Sequence, residues 1–121
     1  MNKIMNTKIW LIIIASMHTL MGVLVPLLQF GNMENLGVFL YFFVISIHLF
    51  YAILFTKDQN QNRLAIVLCI PVIFWFIASA IMNLEMYGFP IAAMPDALMP
   101  IIFWSMPVIS GIYNLNYNKK L

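Results

Sequence analysis

The stretch that decides the fold is "IWLIIIASMHTLMGVLVPLL" (residues 9–28), which contains no Asp, Glu, Lys or Arg. A helix that crosses the hydrocarbon core of a bilayer needs about 20 consecutive, mainly apolar residues. Backbone groups in that core must find hydrogen-bond partners within the segment, and a stretch of this length without alternating polarity satisfies them as a helix. Residues 9–28 therefore predict a membrane-spanning helix.

Three further uncharged windows of similar length follow, at residues 36–56, 64–83 and 97–116. The composition agrees with them, because 64% of the residues are hydrophobic and 8% are charged, against about 45–50% and 25% in soluble globular domains. No linker or low-complexity tract divides the chain. The sequence predicts an all-α fold, a four-helix transmembrane bundle that forms one domain over residues 1–121.

The few charges are distributed unevenly between the two ends of such a bundle. All six basic residues fall in segments that share one end: Lys3, Lys8, Lys57, Arg63, Lys119 and Lys120. The loops at the other end, residues 29–35 and 84–96, hold Glu34, Glu85 and Asp96 and no basic residue. Because Lys and Arg near helix ends stay on the cytoplasmic side, we expect an integral protein of the cytoplasmic (plasma) membrane with both termini inside. The expected partner is the lipid bilayer, and no nucleic acid is expected.

The first helix contains one of the two histidines of the chain. Small and polar residues occur at i, i+3 and i+4 spacing and so share one face of the helix: Ala15, His18, Thr19, Gly22 and Pro26. Membrane helices associate through small residues that allow close backbone approach. We therefore expect His18 to face the interior of the bundle.

The second helix contains the other histidine, in a similar row formed by Gly37, Tyr41, Ile45, His48 and Ala52. The same argument predicts that His48 also faces inward. With a rise of about 1.5 Å per residue, both histidines lie near the middle of their windows, with a vertical offset of about 3 Å. The sequence thus predicts a histidine pair inside the bundle.

Ionisable groups inside a membrane usually face a cofactor, a partner or a cavity. Neutral imidazole is the form that binds metal, and two rings on facing helices can ligate one metal ion or the iron of a b-type haem. His18 and His48 are therefore candidate haem or metal ligands. In the other interpretation, each ring bonds a helix carbonyl, Thr19, Ser46 or the other histidine ring and fixes the helix register. The single cysteine, Cys69, excludes a site with several thiolates.

Other residues are candidates for the lining of the same pocket. Trp75 and Trp104 lie near the middle of the third and fourth windows, and Asn83 ends the third. The proline-rich segment "EMYGFPIAAMPDALMP" (residues 85–100) contains an apolar stretch that is too short to span a bilayer. We expect this segment to lie in the membrane interface or to fold back as a lid.

Two pieces of the chain resemble a known family. "KIWLIIIASMHTLMG" (residues 8–22) and "MPVISGIY" (residues 106–113) are similar to the first and last helices of small four-helix bacterial membrane proteins, grouped as DoxX-like or as domains of unknown function. DoxX-type proteins are connected with membrane redox chemistry and quinones. The resemblance implies a redox role that fits a histidine pair, and it identifies no catalytic residue; in the redox hypothesis a quinone would bind near Trp75 and Trp104.

The sequence leaves two classes of function open. In the first, the bundle is a redox, haem, metal or proton-handling membrane subunit built on His18 and His48. In the second, it is a non-catalytic accessory, immunity or stress module that acts through a partner interface, as a homo-oligomer or with another membrane protein. A bound chromophore or metal would distinguish the first class from the second.

Overall fold

The computed structural model describes residues 3–119, with the side chains of residues 3–117. It contains four long helices, which we name α1 (Thr7–Phe30), α2 (Leu36–Phe55), α3 (Asp58–Met82) and α4 (Leu98–Lys119). A 3-10 turn, Lys3–Met5, precedes α1. A two-stranded hairpin, β1 (Glu85–Met86) and β2 (Phe89–Pro90), lies between α3 and α4. The prediction of a helical chain with four long helices is confirmed.

All four helices are long and apolar enough to cross a membrane. They pack around a common core in chain order: α2 contacts α1 and α3, α4 contacts α3 and α1, and α1 also contacts α3. The start of α1, the end of α4 and the short α2–α3 turn lie at one end of the bundle, which we call the termini end. The α1–α2 loop and the hairpin lie at the other, which we call the hairpin end.

The third helix begins six residues before the predicted window, because the polar run at its start is helical. Gln61 in this run is buried, and its Nε2 donates hydrogen bonds to the carbonyls of Ala52 (2.9 Å) and Thr56 (3.1 Å). These carbonyls belong to the end of α2, where a helix leaves acceptors without helical partners. Gln61 therefore holds the two helices together across a turn of only two residues.

The termini end is closed by buried polar contacts. Asn114 of α4 donates through Nδ2 to the Met5 carbonyl (2.7 Å) and to Thr7 Oγ1 (3.0 Å). Gly111 of α4 lies so close to α3 that an added Cβ would stand 2.9 Å from the Asn62 carbonyl oxygen. The fully buried core residues of this half include Leu11, Ile14, Leu49, Ala65 and Cys69. This half of the bundle is tightly packed.

The first helix is not a regular α-helix along its whole length. Residues His18–Leu24 form a π-helical segment, which ends with the Val25 N–H donating to the Leu20 carbonyl, five residues earlier. Pro26 follows directly, and a proline in a helix lacks an N–H and clashes with the carbonyl four residues before it. Widening the helix relieves that clash. Such wide turns occur frequently at functional sites, and this one begins at His18.

We expect the substitution Asn114→Ala to destabilise the termini end. It removes two hydrogen bonds and leaves the partly buried Met5 carbonyl without its side-chain donor, which should lower the free energy of unfolding by about 1–3 kcal/mol. Tryptophan fluorescence during denaturation in mixed detergent micelles measures this quantity. The matched control is Asn116→Ala on the exposed side of α4, expected to change it by less than about 0.5 kcal/mol. Equal losses in both variants would contradict the role of Asn114.

Candidate functional site

The hairpin end of the bundle encloses a cavity of about 750 Å³ that is partly open to the surroundings. Its walls come from the second half of α1, the first half of α2 and the second half of α3, with Trp104 from α4. The hairpin covers its end. Most of the lining is apolar or aromatic, and its uncharged polar side chains are His18, Gln29, Tyr41 and Tyr87. Ligand pockets in proteins have this size and character, at about 300–1,000 Å³.

His18 lies on the cavity wall, at the first residue of the π-helical segment. Its Nε2 is 2.9 Å from the carbonyl oxygen of Phe42. A carbonyl can only accept, so Nε2 carries the proton, and in the neutral ring Nδ1 is left with the lone pair. Within the described part of the chain, Nδ1 has no hydrogen-bond donor. The ring therefore keeps one unpaired hydrogen-bond acceptor, and His18 is one of the residues that line the apolar cavity.

Gly22 provides the space for this ring. A Cβ at Gly22 would stand 3.1 Å from Nδ1 and 3.4 Å from Cε1 of His18. One turn away, Thr19 Oγ1 donates to Ser46 Oγ (3.0 Å) and joins α1 to α2. Gly22 and Pro26 line the cavity, and Ala15 is fully buried. The prediction that this face of α1 points into the bundle is confirmed.

A chain of aromatic rings forms the floor of the cavity. The His18 ring makes edge-to-face contacts with Trp104 (centroids 5.5 Å apart) and with Phe42 (5.9 Å), and Phe42 makes one with Trp75 (5.9 Å). Such contacts contribute about 0.5–1.5 kcal/mol each beyond the area that they bury. Trp75 and Trp104 both line the cavity. His18 is therefore held by ring contacts on two sides as well as by its hydrogen bond.

The hairpin reverses through the two residues Tyr87 and Gly88, whose φ angles are 57° and 78°. Two positive φ angles define the tight hairpin turn that matches the twist of the strands. The Tyr87 ring stacks between Phe30 (5.3 Å) and Phe39 (5.4 Å). The end of α1 and the start of α2 thus hold the turn in place over the cavity.

The Tyr87 hydroxyl is buried without a hydrogen-bond partner in the described structure. Desolvation raises the pKa of Tyr87 above its ordinary value, so the hydroxyl keeps its proton at neutral pH. The sequence predicts an interfacial segment or a lid at residues 85–100, and the structure shows a cover formed by residues 85–91. Only Gly88 in "MYGFP" is typical of such a turn, which prefers Asn-Gly, Asp-Gly or Gly-Gly pairs, so the sequence pattern does not identify the hairpin.

His48 lies on the outer face of α2 and is exposed, so the prediction that it faces inward is wrong. Its Nδ1 is 2.7 Å from the Val44 carbonyl, one helical turn earlier. The inward face of α2 is formed instead by Phe39, Phe42, Ser46, Leu49 and Ile53. Phe42 and Ser46 bond His18 and Thr19 of α1, and these contacts turn His48 outward. The two histidines share no partner, so paired ligation of a haem or metal by them has no geometric basis.

Asn83 does not line the cavity, so this prediction is also wrong. Asn83 is exposed and ends α3 in a left-handed conformation (φ 52°, ψ 46°), with its N–H donating to the Ser79 carbonyl. Asparagine tolerates this conformation better than most residues, which explains the helix stop. Among the side chains of residues 3–117, no group of three or more His, Cys, Asp or Glu is placed to hold a metal ion.

Comparisons of the chain with protein-family models, with curated proteins and with solved structures found no match. The site is therefore defined by its own geometry. It combines one imidazole acceptor, an aromatic floor that includes Trp75 and Trp104, apolar walls and a hairpin cover. Such a site suits an apolar molecule with a polar group that donates a hydrogen bond to His18.

Gly22→Ala tests the placement of the His18 ring. Alanine is favoured over glycine in helices by up to about 1 kcal/mol, and Gly37→Ala should gain stability because nothing lies within 4 Å of a Cβ there. At Gly22 the new methyl group displaces the His18 ring, and the cost of this displacement offsets the gain in stability from alanine. The imidazole ¹⁵N resonances of His18 should shift in Gly22→Ala while those of His48 do not. Unchanged His18 resonances would contradict the close contact.

Tyr87→Phe and Tyr87→Ala separate the two roles of Tyr87. Tyr87→Phe keeps the ring stack and removes an unpartnered buried hydroxyl, so the hairpin should open less readily, by about 1 kcal/mol. Tyr87→Ala loses both stacked contacts, and opening should become easier by about 1–3 kcal/mol. Hydrogen exchange of the Ile91 amide, which donates to the Leu84 carbonyl (2.9 Å) at the base of the hairpin, measures both. If the Ile91 amide exchanged faster in Tyr87→Phe than in the parent protein, the Tyr87 hydroxyl could not be an unpartnered group that destabilises the closed hairpin.

Proposed function

We propose that this chain is an integral protein of the cytoplasmic membrane whose cavity binds an apolar molecule with a ring hydroxyl, of the quinol class. His18 accepts the hydrogen bond of that hydroxyl and is the proton-handling residue. The observation that carries the proposal is the Nδ1 lone pair of His18 beside an apolar cavity, fixed by the bond from Nε2 to Phe42.

The length and apolarity of the four helices support the membrane location. The positive-inside rule supports an orientation with both termini cytoplasmic, because every Lys and Arg of the sequence falls in segments at the termini end. In this orientation the cavity occupies the outer half of the membrane. The hairpin covers it on the non-cytoplasmic side.

The dimensions of the cavity support a slender ligand. From His18 to Phe30 the first helix rises about 18 Å, and both residues line the cavity. A volume of about 750 Å³ over that length corresponds to a mean cross-section of about 40 Å². One ring that continues into an apolar tail fits such a space, with the ring on the aromatic floor and the tail towards the hairpin.

The tautomer of His18 supports a hydroxyl rather than a carbonyl at the deep end. With Nε2–H committed to Phe42, the neutral His18 ring has only an acceptor, Nδ1, left for a ligand. A quinol hydroxyl donates to it, whereas a quinone carbonyl would place two acceptors against each other. His18 can take up one of the two hydroxyl protons that a quinol loses when it is oxidised to the quinone, and the second proton and both electrons would leave to a partner. The electron acceptor would be a membrane partner protein outside this chain.

A haem or single metal at His18 is a weaker form of the redox hypothesis. Haem in a helical bundle is held by axial side chains such as a histidine pair, and His48 is exposed on the outer face of α2. His18 is the only imidazole on the cavity wall. The quinol hypothesis requires only this one ring.

The second candidate is a non-catalytic accessory, immunity or stress module that acts through a partner interface. The exposed histidine in the middle of α2 favours it, since polar residues on membrane helices often serve as contacts between helices. The two candidates differ in whether the cavity binds a ligand.

The test is a titration of the purified protein in nanodiscs with a short-tailed naphthoquinol and with its quinone, under reducing and oxidising conditions. Trp10→Phe removes the indole that lies outside the cavity, so that fluorescence reports on Trp75 and Trp104. We expect saturable binding of one molecule per chain, with the quinol about tenfold tighter, the value of one hydrogen bond. An absorption spectrum of the same sample detects any haem.

The matched variants are His18→Phe and His48→Phe. Phenylalanine at position 18 keeps the ring contacts and removes the acceptor, so quinol and quinone should bind equally. His48→Phe should bind like the parent protein. Absence of saturable binding, or equal effects of the two substitutions, would contradict the proposal. A Soret band that disappears in His18→Phe would favour the haem form instead.

A further inference from the structure

The outer face of α2 carries a row of five exposed residues, which we call the α2 stripe: Tyr41, Val44, His48, Tyr51 and Phe55. Tyr41, at one end of this row, also lines the cavity. Their spacing of three, four, three and four residues is the a/d spacing of helices that pair along a seam. The stripe holds no formal charge. It is a continuous seam with no partner helix within the described bundle.

The polar atoms of the α2 stripe are complementary to each other. His48 Nδ1 lies 2.7 Å from the Val44 carbonyl, so Nδ1 donates and Nε2 of the neutral ring is an acceptor. Tyr51 lies three residues further along, with its ring stacked on Phe55 (5.6 Å). The Tyr51 hydroxyl has no hydrogen-bond partner among the described residues. One face therefore carries both an unpaired acceptor and an unpaired donor.

We propose that a second copy of this chain docks on the α2 stripe as a two-fold symmetric dimer. In it, the Tyr51 hydroxyl of each copy donates to His48 Nε2 of the other. A two-fold axis along the membrane normal places equal residues at equal heights and repeats every contact. His48 and Tyr51 differ in height by about 4.5 Å along the helix, which a tyrosine side chain spans.

The occupant is a second copy because the seam complements itself. A different membrane protein would need its own donor and acceptor at matching heights, whereas a second copy supplies both through symmetry. In hydrocarbon, His48 Nε2 and the Tyr51 hydroxyl find no water, and a polar atom there gains from a partner on a neighbouring helix. The dimer rests on the proposed membrane location and not on the ligand of the cavity.

Oxidative cross-linking tests the face that is used. Val44→Cys places a thiol in the middle of the stripe, and Phe74→Cys places one on the exposed side of α3 as the matched control. The parent protein is the background, since Cys69 is fully buried. In phosphatidylcholine vesicles at low protein content we expect disulfide-linked dimers of Val44→Cys only. Equal cross-linking of Phe74→Cys, or none of Val44→Cys, would overturn the proposal.

Energy transfer between labelled copies at increasing mole fraction measures the strength of the dimer. His48→Phe and Tyr51→Phe should each weaken it about eightfold, the loss of two symmetric hydrogen bonds of average strength between membrane helices. The double variant should be no weaker than either single one, because both remove the same bonds. His48→Gln keeps an acceptor and should restore most of the affinity.

A chain that is monomeric at every mole fraction would overturn the dimer proposal. So would variants that all dimerise as strongly as the parent protein. Flotation of the vesicles on a density gradient tests the membrane location separately. A chain that does not float with the lipid would remove the location on which the dimer rests. Ligand binding in the cavity tests the proposed function independently of these results.

Discussion

The hydrogen bond from His18 Nε2 to the Phe42 carbonyl is the contact on which the rest of the site depends. It joins α1 to α2 at 2.9 Å, and it fixes which nitrogen of the ring keeps a lone pair. It is reinforced one residue further by the bond from Thr19 to Ser46. Together these bonds set the rotation of α2 about its axis, and with it which side chains face the cavity.

The π-helical segment and Gly22 make that bond compatible with an open cavity. The wide turn accommodates Pro26, and the missing side chain at Gly22 leaves room for the His18 ring. The opposite half of the bundle is closed by Asn114 and Gln61, whose amides bond backbone carbonyls of neighbouring segments. One half is therefore tightly packed, and the half towards the hairpin is hollow, as a binding site inside a small bundle requires.

The existence of the four helices and the inward face of α1 could be predicted from the sequence. Long uncharged windows specify helices, and Ala15, Thr19 and Gly22 mark one side of α1. The face of α2 could not be predicted in this way. In a helix that is apolar all round, small residues do not identify the inward side, because Ala52 is fully buried whereas Gly37 is exposed. That side is set by long-range bonds to His18 and Thr19, which no pattern within α2 reveals.

The two histidines show what such a sequence does and does not specify. Sequence position gives the depth of a residue along a helix, because each residue adds about 1.5 Å, and both histidines occur near the middle of their windows. The direction of the side chain depends on the rotation of the helix in the bundle. His18 bonds a neighbouring helix and lines the cavity, whereas His48 bonds its own helix and faces outward. The two imidazoles therefore lie at similar depth but face different surroundings. His18 faces the proposed ligand, and His48 faces the proposed partner.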